Sequence, residues 1–102
     1  MKRLPEVFQK NGYEHILLWR DSEYAITEAR DTDTKKVYFM EAFEIQRHKE
    51  KAIGDKLIEA RESTPSNEDW GLKGYTVYNM TDAQLKIGIM RSNKNSQKNK
   101  KV

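Results

Sequence analysis

The chain has 102 residues, enough for one domain with a modest single core. Hydrophobic residues make up 36% and charged residues 34%, so the core is thin, and one sheet packed by one helix suits that supply. There is no cysteine, which excludes disulfides, cysteine-ligated zinc and a thiol nucleophile, and the longest apolar run, Ile16–Trp19, is too short to span a bilayer.

Net charge is +3 and the pI about 9.1, but the basic residues sit in the ends. Removing the four lysines of residues 93–102 from the +3 leaves −1, and removing Lys2 and Arg3 as well leaves −3. The body is therefore mildly acidic, whereas a dedicated DNA-binding domain carries its basic charge on the fold. The opening segment MKRLPEVFQKNGY lacks an apolar run of signal-peptide length, so a cytoplasmic protein is expected.

In chain order, Leu4, Val7 and Phe8 suggest one apolar turn of helix. Asn11-Gly12 is a turn signal. Tyr13 to Arg20 alternates as a first strand that is partly apolar on both faces, which suggests a central or covered position. Asp21-Ser22 turns the chain into a second strand, Tyr24 to Asp31, with Tyr24 and Ile26 as its packing residues. Asp31 to Lys35 is a polar hairpin loop.

Val37 to His48 reads as the third and longest strand, rich in β-branched and aromatic residues. Strict alternation puts Glu41 on the apolar face with Phe39, Phe43 and Ile45. A bulge near Glu41-Ala42 instead gathers Tyr38, Met40, Phe43 and Ile45. Both remain open.

Lys49 to Glu62 supports a helix through Ile53, Leu57 and Ala60, at a cost of about 1 kcal/mol for the interior Gly54. It also supports a hairpin turning at Gly54-Asp55. An exposed hairpin-like or mobile arm is the favoured reading. Residues 63–67 are loop by composition.

Lys73 to Met80 is the fourth strand, with Tyr75 and Val77 alternating against Thr76 and Tyr78. Thr81 and Gln84 read as a capping box opening a helix, with Asp82 at its positive end. Leu85 and Ile89, flanked by Met90, mark the expected buried stripe. The helix is expected to end near Arg91, leaving a disordered lysine-rich tail. The expected architecture is α+β: an antiparallel sheet of about four strands with one C-terminal helix packed on a face. The domain is 1–92 and the tail 93–102.

Several motifs together carry a resemblance. They are Asn11-Gly12-Tyr13 with Leu17, Leu18 and Arg20; Tyr24-Ala25-Ile26; Phe43-Glu44-Ile45; and above all Pro65-Ser66-Asn67-Glu68-Asp69-Trp70-Gly71, then Gly74-Tyr75-Thr76 and a helix with an early Ala83. Over about Leu4 to Ile89 this resembles a group of small proteins encoded by phages and by gut bacteria carrying phage-derived genes. The group often has Trp where this chain has Tyr75, and Tyr where it has Thr64. The resemblance implies a viral or mobile-element setting and a shared fold, with no catalytic residue to carry over.

Candidate chemistry is sparse. His15 reads as a structural histidine and His48 as part of a solvated charged end. His48-Lys49-Glu50 echoes the His-x-Glu of zinc deaminases, but the cysteine ligands that chemistry needs are missing. Asp55 with Glu59, or Glu41 with Glu44, could be gathered into a metal site only if the fold brought them together. Glu68 and Asp69 read as carboxylates capping a turn. Trp70, Tyr75 and Tyr78 have two readings: packing residues, or an aromatic surface for a partner.

The leading expectation is a non-enzymatic, phage-type accessory protein in the cytoplasm of a bacterial host. It binds a host or viral macromolecule, with a protein favoured, through Trp70, Tyr75, Tyr78, Glu68 and Asp69. One alternative is nucleic-acid binding through Lys2, Arg3, Arg47, Lys49, Lys51, Lys94, Lys98, Lys100 and Lys101, which is sequence-independent and salt-sensitive. Another is a small virion component. No membrane association, cofactor, metal ligand or catalytic residue is expected.

Overall fold

The computed structural model describes residues 1–99, with side chains through Asn95. Its frame is a five-stranded antiparallel sheet of β1 (Val7–Lys10), β2 (Tyr13–Arg20), β3 (Tyr24–Arg30), β4 (Val37–Glu44) and β9 (Gly74–Val77), in the order β1-β2-β3-β4-β9. One helix, α1 (Met80–Asn99), packs on β4 and β9. No described helix is long and apolar enough to cross a membrane.

The α+β class and the C-terminal helix agree with the sequence reading. The additional strand is β1, where a helical turn was expected. Val7 pairs with Ile16 and Phe8 with His15, so the Val7 and Phe8 side chains go to opposite faces rather than one helical side. Asn11, at φ 52, and Gly12 close this hairpin. The Asp21 turn is fixed by its Oδ1, which accepts from the Glu23 and Tyr24 N–H groups at 2.8 and 2.7 Å. Asp31 does the same for Asp33 and Thr34 at 2.9 and 2.8 Å.

The long third strand is broken at Ile45, whose N–H donates to the Glu23 carbonyl at 2.7 Å. Beyond it the chain leaves the sheet as an arm. In the arm β5 (Gln46–His48) pairs with β8 (Arg61–Ser63), and β6 (Lys51–Ile53) with β7 (Lys56–Ile58). Gly54 takes φ 59 at its tip, a left-handed conformation that glycine tolerates, and the helix reading of this region fails. The N-terminal segment lies along the arm: the Lys2 N–H donates to the Ala60 carbonyl at 2.9 Å, and the Glu62 N–H to the Lys2 carbonyl at 2.8 Å.

The two sheet faces follow from the register. Tyr24, Ile26, Met40, Ala42 and Val77 face the helix and pack with Ala83, Ile87 and Met90. On the opposite face Leu4, Ala25, Phe43 and Ile45 form a second cluster, flanked by Leu17 and Trp70. Pairing through β4 continues without a bulge at Glu41-Ala42, so Glu41 does lie on the face of Phe43.

Three expectations about α1 are corrected. Asn79 is the cap, not Thr81: its Oδ1 accepts from the Asp82 N–H at 2.8 Å and its carbonyl from the Ala83 N–H at 3.1 Å. The buried stripe is Ala83, Ile87 and Met90, not Leu85 and Ile89. The helix also continues past Arg91, because Arg91 and Lys94 both find carboxylates on the sheet.

Candidate interaction surface

The signature loop Pro65–Gly71 is a short 3-10 turn at Asn67–Asp69 followed by Trp70. Asp69 organises it: its Oδ2 accepts from the Ser66 hydroxyl at 3.2 Å, and its carbonyl from the Leu72 and Lys73 N–H groups at 3.1 and 2.8 Å. Glu68 is exposed. Trp70 folds back onto the sheet face opposite the helix, where its indole N–H donates to the Thr76 hydroxyl at 3.1 Å. Gly74 is what admits the ring: a Cβ there would sit 2.7 Å from Trp70 Cε3. Trp70 is thus half-buried in packing.

Beneath it lies a polar network that sequence reasoning did not assemble. The Lys10 ammonium sits 4.1 Å from the centroid of the Trp70 ring and 2.7 Å from Glu41 Oε1. His15, 1% exposed, places Nδ1 at 3.1 Å from the Thr27 hydroxyl and 3.7 Å from the same Glu41 oxygen. Its ring stacks on Phe8 with centroids 5.4 Å apart. Burial lowers the His15 pKa below its ordinary value; the Glu41 charge opposes this and the Lys10 charge adds to it. The available signals were Glu41 in the apolar alternation and His15 read as a structural histidine. Lys10 offered none, because β1 was read as helical.

These groups satisfy one another. Glu44 points to the other face of β4, toward Lys94 at 3.0 Å, so Glu41 and Glu44 share no site. Asp55 and Glu59 lie on the exposed outer half of the arm.

The basic candidates separate. The Lys2 backbone bridges to Arg61, and Lys2 and Arg3 are exposed beside the arm. Lys49 and Lys51 are exposed on it. Arg47 donates to the Ser22 carbonyl and to Glu62. Glu62 also accepts from Nη1 and Nη2 of Arg20, at 2.6 and 3.0 Å, and from the Leu4 N–H at 3.0 Å. The Arg20 hydrogen bonds above all hold the Glu62 carboxyl at about 2. Lys94 bridges Glu23 and Glu44 on the helix, not in a tail. The Lys98 side chain, Lys100 and Lys101 lie outside the described residues.

The aromatic candidates divide as well. Tyr75 packs against the helix-side core under the Lys86 ammonium, 4.8 Å from its centroid. Tyr78, just past β9, is 77% exposed. It belongs with residues that sequence reasoning buried. Leu85 is 60% exposed and Ile89 46% exposed. At 3.6 residues per turn, burying Ala83, Ile87 and Met90 turns Leu85 and Ile89 outward.

The four charges on α1 between residues 80 and 95 each have a neighbour to engage. Asp82 is engaged with Asn79, Lys86 lies over Tyr75, Arg91 pairs with Asp21 at 2.6 Å, and Lys94 pairs with Glu23 and Glu44. The outward residues Thr81, Gln84, Leu85, Gly88, Ile89 and Ser92 line a shallow groove with no charge in it. A second groove joins Leu85 and Ile89 to Thr76, Val77 and Tyr78 at the sheet edge, with Asp82 and Lys86 on its wall. The arrangement offers apolar contact and main-chain hydrogen bonding.

The chain matches no known family model, no curated protein and no solved structure.

Proposed function

We propose that this protein is a non-enzymatic accessory module of phage type, working in the bacterial cytoplasm, that binds a protein partner through the outer face of α1 and the adjoining edge of β9. The observation that carries this reading is the exposure of Leu85 and Ile89 on the outer face of α1 beside Tyr78 at the end of β9, in a chain whose residues are 34% charged. Apolar residues concentrated on one face that no element of the fold covers mark an interaction site. Of the aromatic candidates Tyr78 belongs to this surface, while Trp70 and Tyr75 are absorbed into packing. Nucleic-acid binding is the weaker reading, because Arg47 and Lys94 are already engaged with carboxylates.

The test is photocrosslinking in bacterial cells with benzoylphenylalanine in place of Tyr78, compared with the same group in place of Tyr38, an exposed tyrosine of β4. Protein adducts at position 78 and not at 38 support the reading. Equal adducts at both positions, or none at 78, overturn it.

A further inference from the structure

We infer that the outer half of the arm is a second binding surface, separate from α1, and that it takes duplex DNA by laying one face of its ribbon in the major groove.

The arm is one hairpin. Its two pairings, Gln46 with Ser63 through His48 with Arg61, and Lys51 with Ile58 through Ile53 with Lys56, keep a single register. Cross-strand partners share a face, so Lys51, Ile53, Lys56 and Ile58 lie on one face of the ribbon, and Ala52 and Leu57 on the other. The same alternation carries Lys49 to the lysine face. It carries Glu50 and Glu59 to the opposite face, where both line a groove with Met1 and Lys2. The carboxylate that falls on the lysine face is Glu62 at the root, and it is held by Arg20 and Arg47. The outer part of that face is therefore basic and apolar.

Its charges are unspent. In the sheet and helix Lys10 pairs with Glu41, Arg30 with Glu28, Lys35 with Glu14 and Arg91 with Asp21. Among the described residues no carboxylate pairs with Lys49, Lys51 or Lys56, and all three are exposed. Ile53 and Ile58 are exposed beside them. Lysines gathered on one face without counter-charges suit a polyanion. Arg47 and Lys94, already engaged with carboxylates, take no part.

The shape of the arm selects the polyanion. A two-stranded ribbon fits the major groove of B-DNA, about 12 Å wide, whereas the deep, narrow major groove of duplex RNA excludes it. Lys51 and Lys56 stand on different strands at diagonal positions about 7 Å apart, so they reach toward the two phosphate walls. Ile53 and Ile58 occupy the other diagonal and meet the groove floor, where thymine methyl groups offer apolar contact. Glu50 and Glu59 repel phosphate from the opposite face and so fix which face enters. Asp55 at the tip opposes insertion of the hairpin into an anionic bilayer. At the root, Glu62 accepts from Arg20 and from the Leu4 N–H, which sets the direction of the arm before binding.

Fluorescence anisotropy of the full chain with a labelled mixed-sequence DNA duplex, from about 50 to about 200 mM salt, tests this. The expected dissociation constant is about 1–100 µM near physiological salt and rises steeply with salt. Lys51→Gln combined with Lys56→Gln should weaken binding and lower the slope of log affinity against log salt by about 2. Ile53→Ser should weaken binding about fivefold at unchanged slope. Lys36→Gln, at an exposed lysine ahead of β4, should leave both unchanged. Far-UV circular dichroism checks the fold of each variant.

Absence of DNA binding, a wild-type slope in the double variant, or full affinity in Ile53→Ser overturns the inference. So does an equal loss in Lys36→Gln, or equal or tighter binding of duplex RNA or of phosphatidylserine–phosphatidylcholine vesicles. None of these results bears on crosslinking at position 78, so the two surfaces stand or fall separately.

Discussion

On the sheet face under α1, burial is apolar apart from the Tyr24 hydroxyl: Tyr24, Ile26, Met40, Ala42 and Val77 meet Ala83, Ile87 and Met90. On the opposite face no helix is available. There one part is closed by Leu4, Ala25, Phe43 and Ile45, and another by Lys10, His15, Thr27 and Glu41 under the Trp70 ring. The difference shows how a chain with few apolar residues closes both faces of one sheet. The helix takes the apolar supply, and the second face uses side chains that carry their own hydrogen-bond partners. On acidification a face built that way responds through the buried His15, whereas the apolar side chains under the helix do not.

The largest expected effect tests the helix face. Ile87→Ala leaves a cavity against Ile26 and Met40 and should cost about 3 kcal/mol in urea unfolding. The loss should be the same at every pH, and a pH-dependent loss would break the comparison. On the other face Gly74→Ala drives a Cβ into the Trp70 ring, whose displacement should cost about 2 kcal/mol. Trp70 fluorescence should shift to the red along with the stability loss.

Acid should then act on the second face and its border. The folded His15 pKa lies below 6.5, so the unfolded chain takes up the proton first, and stability falls as the pH drops below 6.5. Glu62 is held at about 2 against an ordinary 4.5, so its contribution is complete above 4.5 and is lost as the pH falls from there through 2. His15→Gln should flatten the upper part of the stability curve, and Glu62→Gln the lower. A curve unchanged by both would remove the distinction between the faces.

The smallest effect concerns the single buried side-chain polar atom left without a partner among the described residues, the Tyr24 hydroxyl. Tyr24→Phe removes an unpaired group and should change stability by less than about 1 kcal/mol, or raise it. A loss above that would mean a bridging water or ion holds the hydroxyl.

Much of the frame was legible locally. Tyr13–Arg20, Tyr24–Arg30 and the strand from Val37 announce themselves by alternation, and Asn11-Gly12, Asp21 and Asp31 by turn chemistry. The arm was legible only at its turn, where Gly54-Asp55 supports a hairpin against the helix of Ile53, Leu57 and Ala60; the pairing of β5 with β8 was not, because residues 46–48 read as the end of the long strand. The helix was legible in position but not in rotation. Ala83, Ile87 and Met90 repeat as a helical stripe just as Leu85 and Ile89 do, and sequence hydrophobicity favours the larger pair.

The amino-acid sequence by itself determined the class, the sheet-then-helix order, the absence of thiol chemistry and a mildly acidic body with basic ends. Those properties depend on composition and on contacts between near neighbours. Only the tertiary structure decided which side of α1 meets the sheet, that Lys10 reaches Glu41 across 31 residues, that Trp70 serves as packing, and that Tyr78, Leu85 and Ile89 share one open surface. Each of these depends on the register of strands far apart in the chain. A shift of one residue in that register exchanges the faces, and no local pattern fixes it alone.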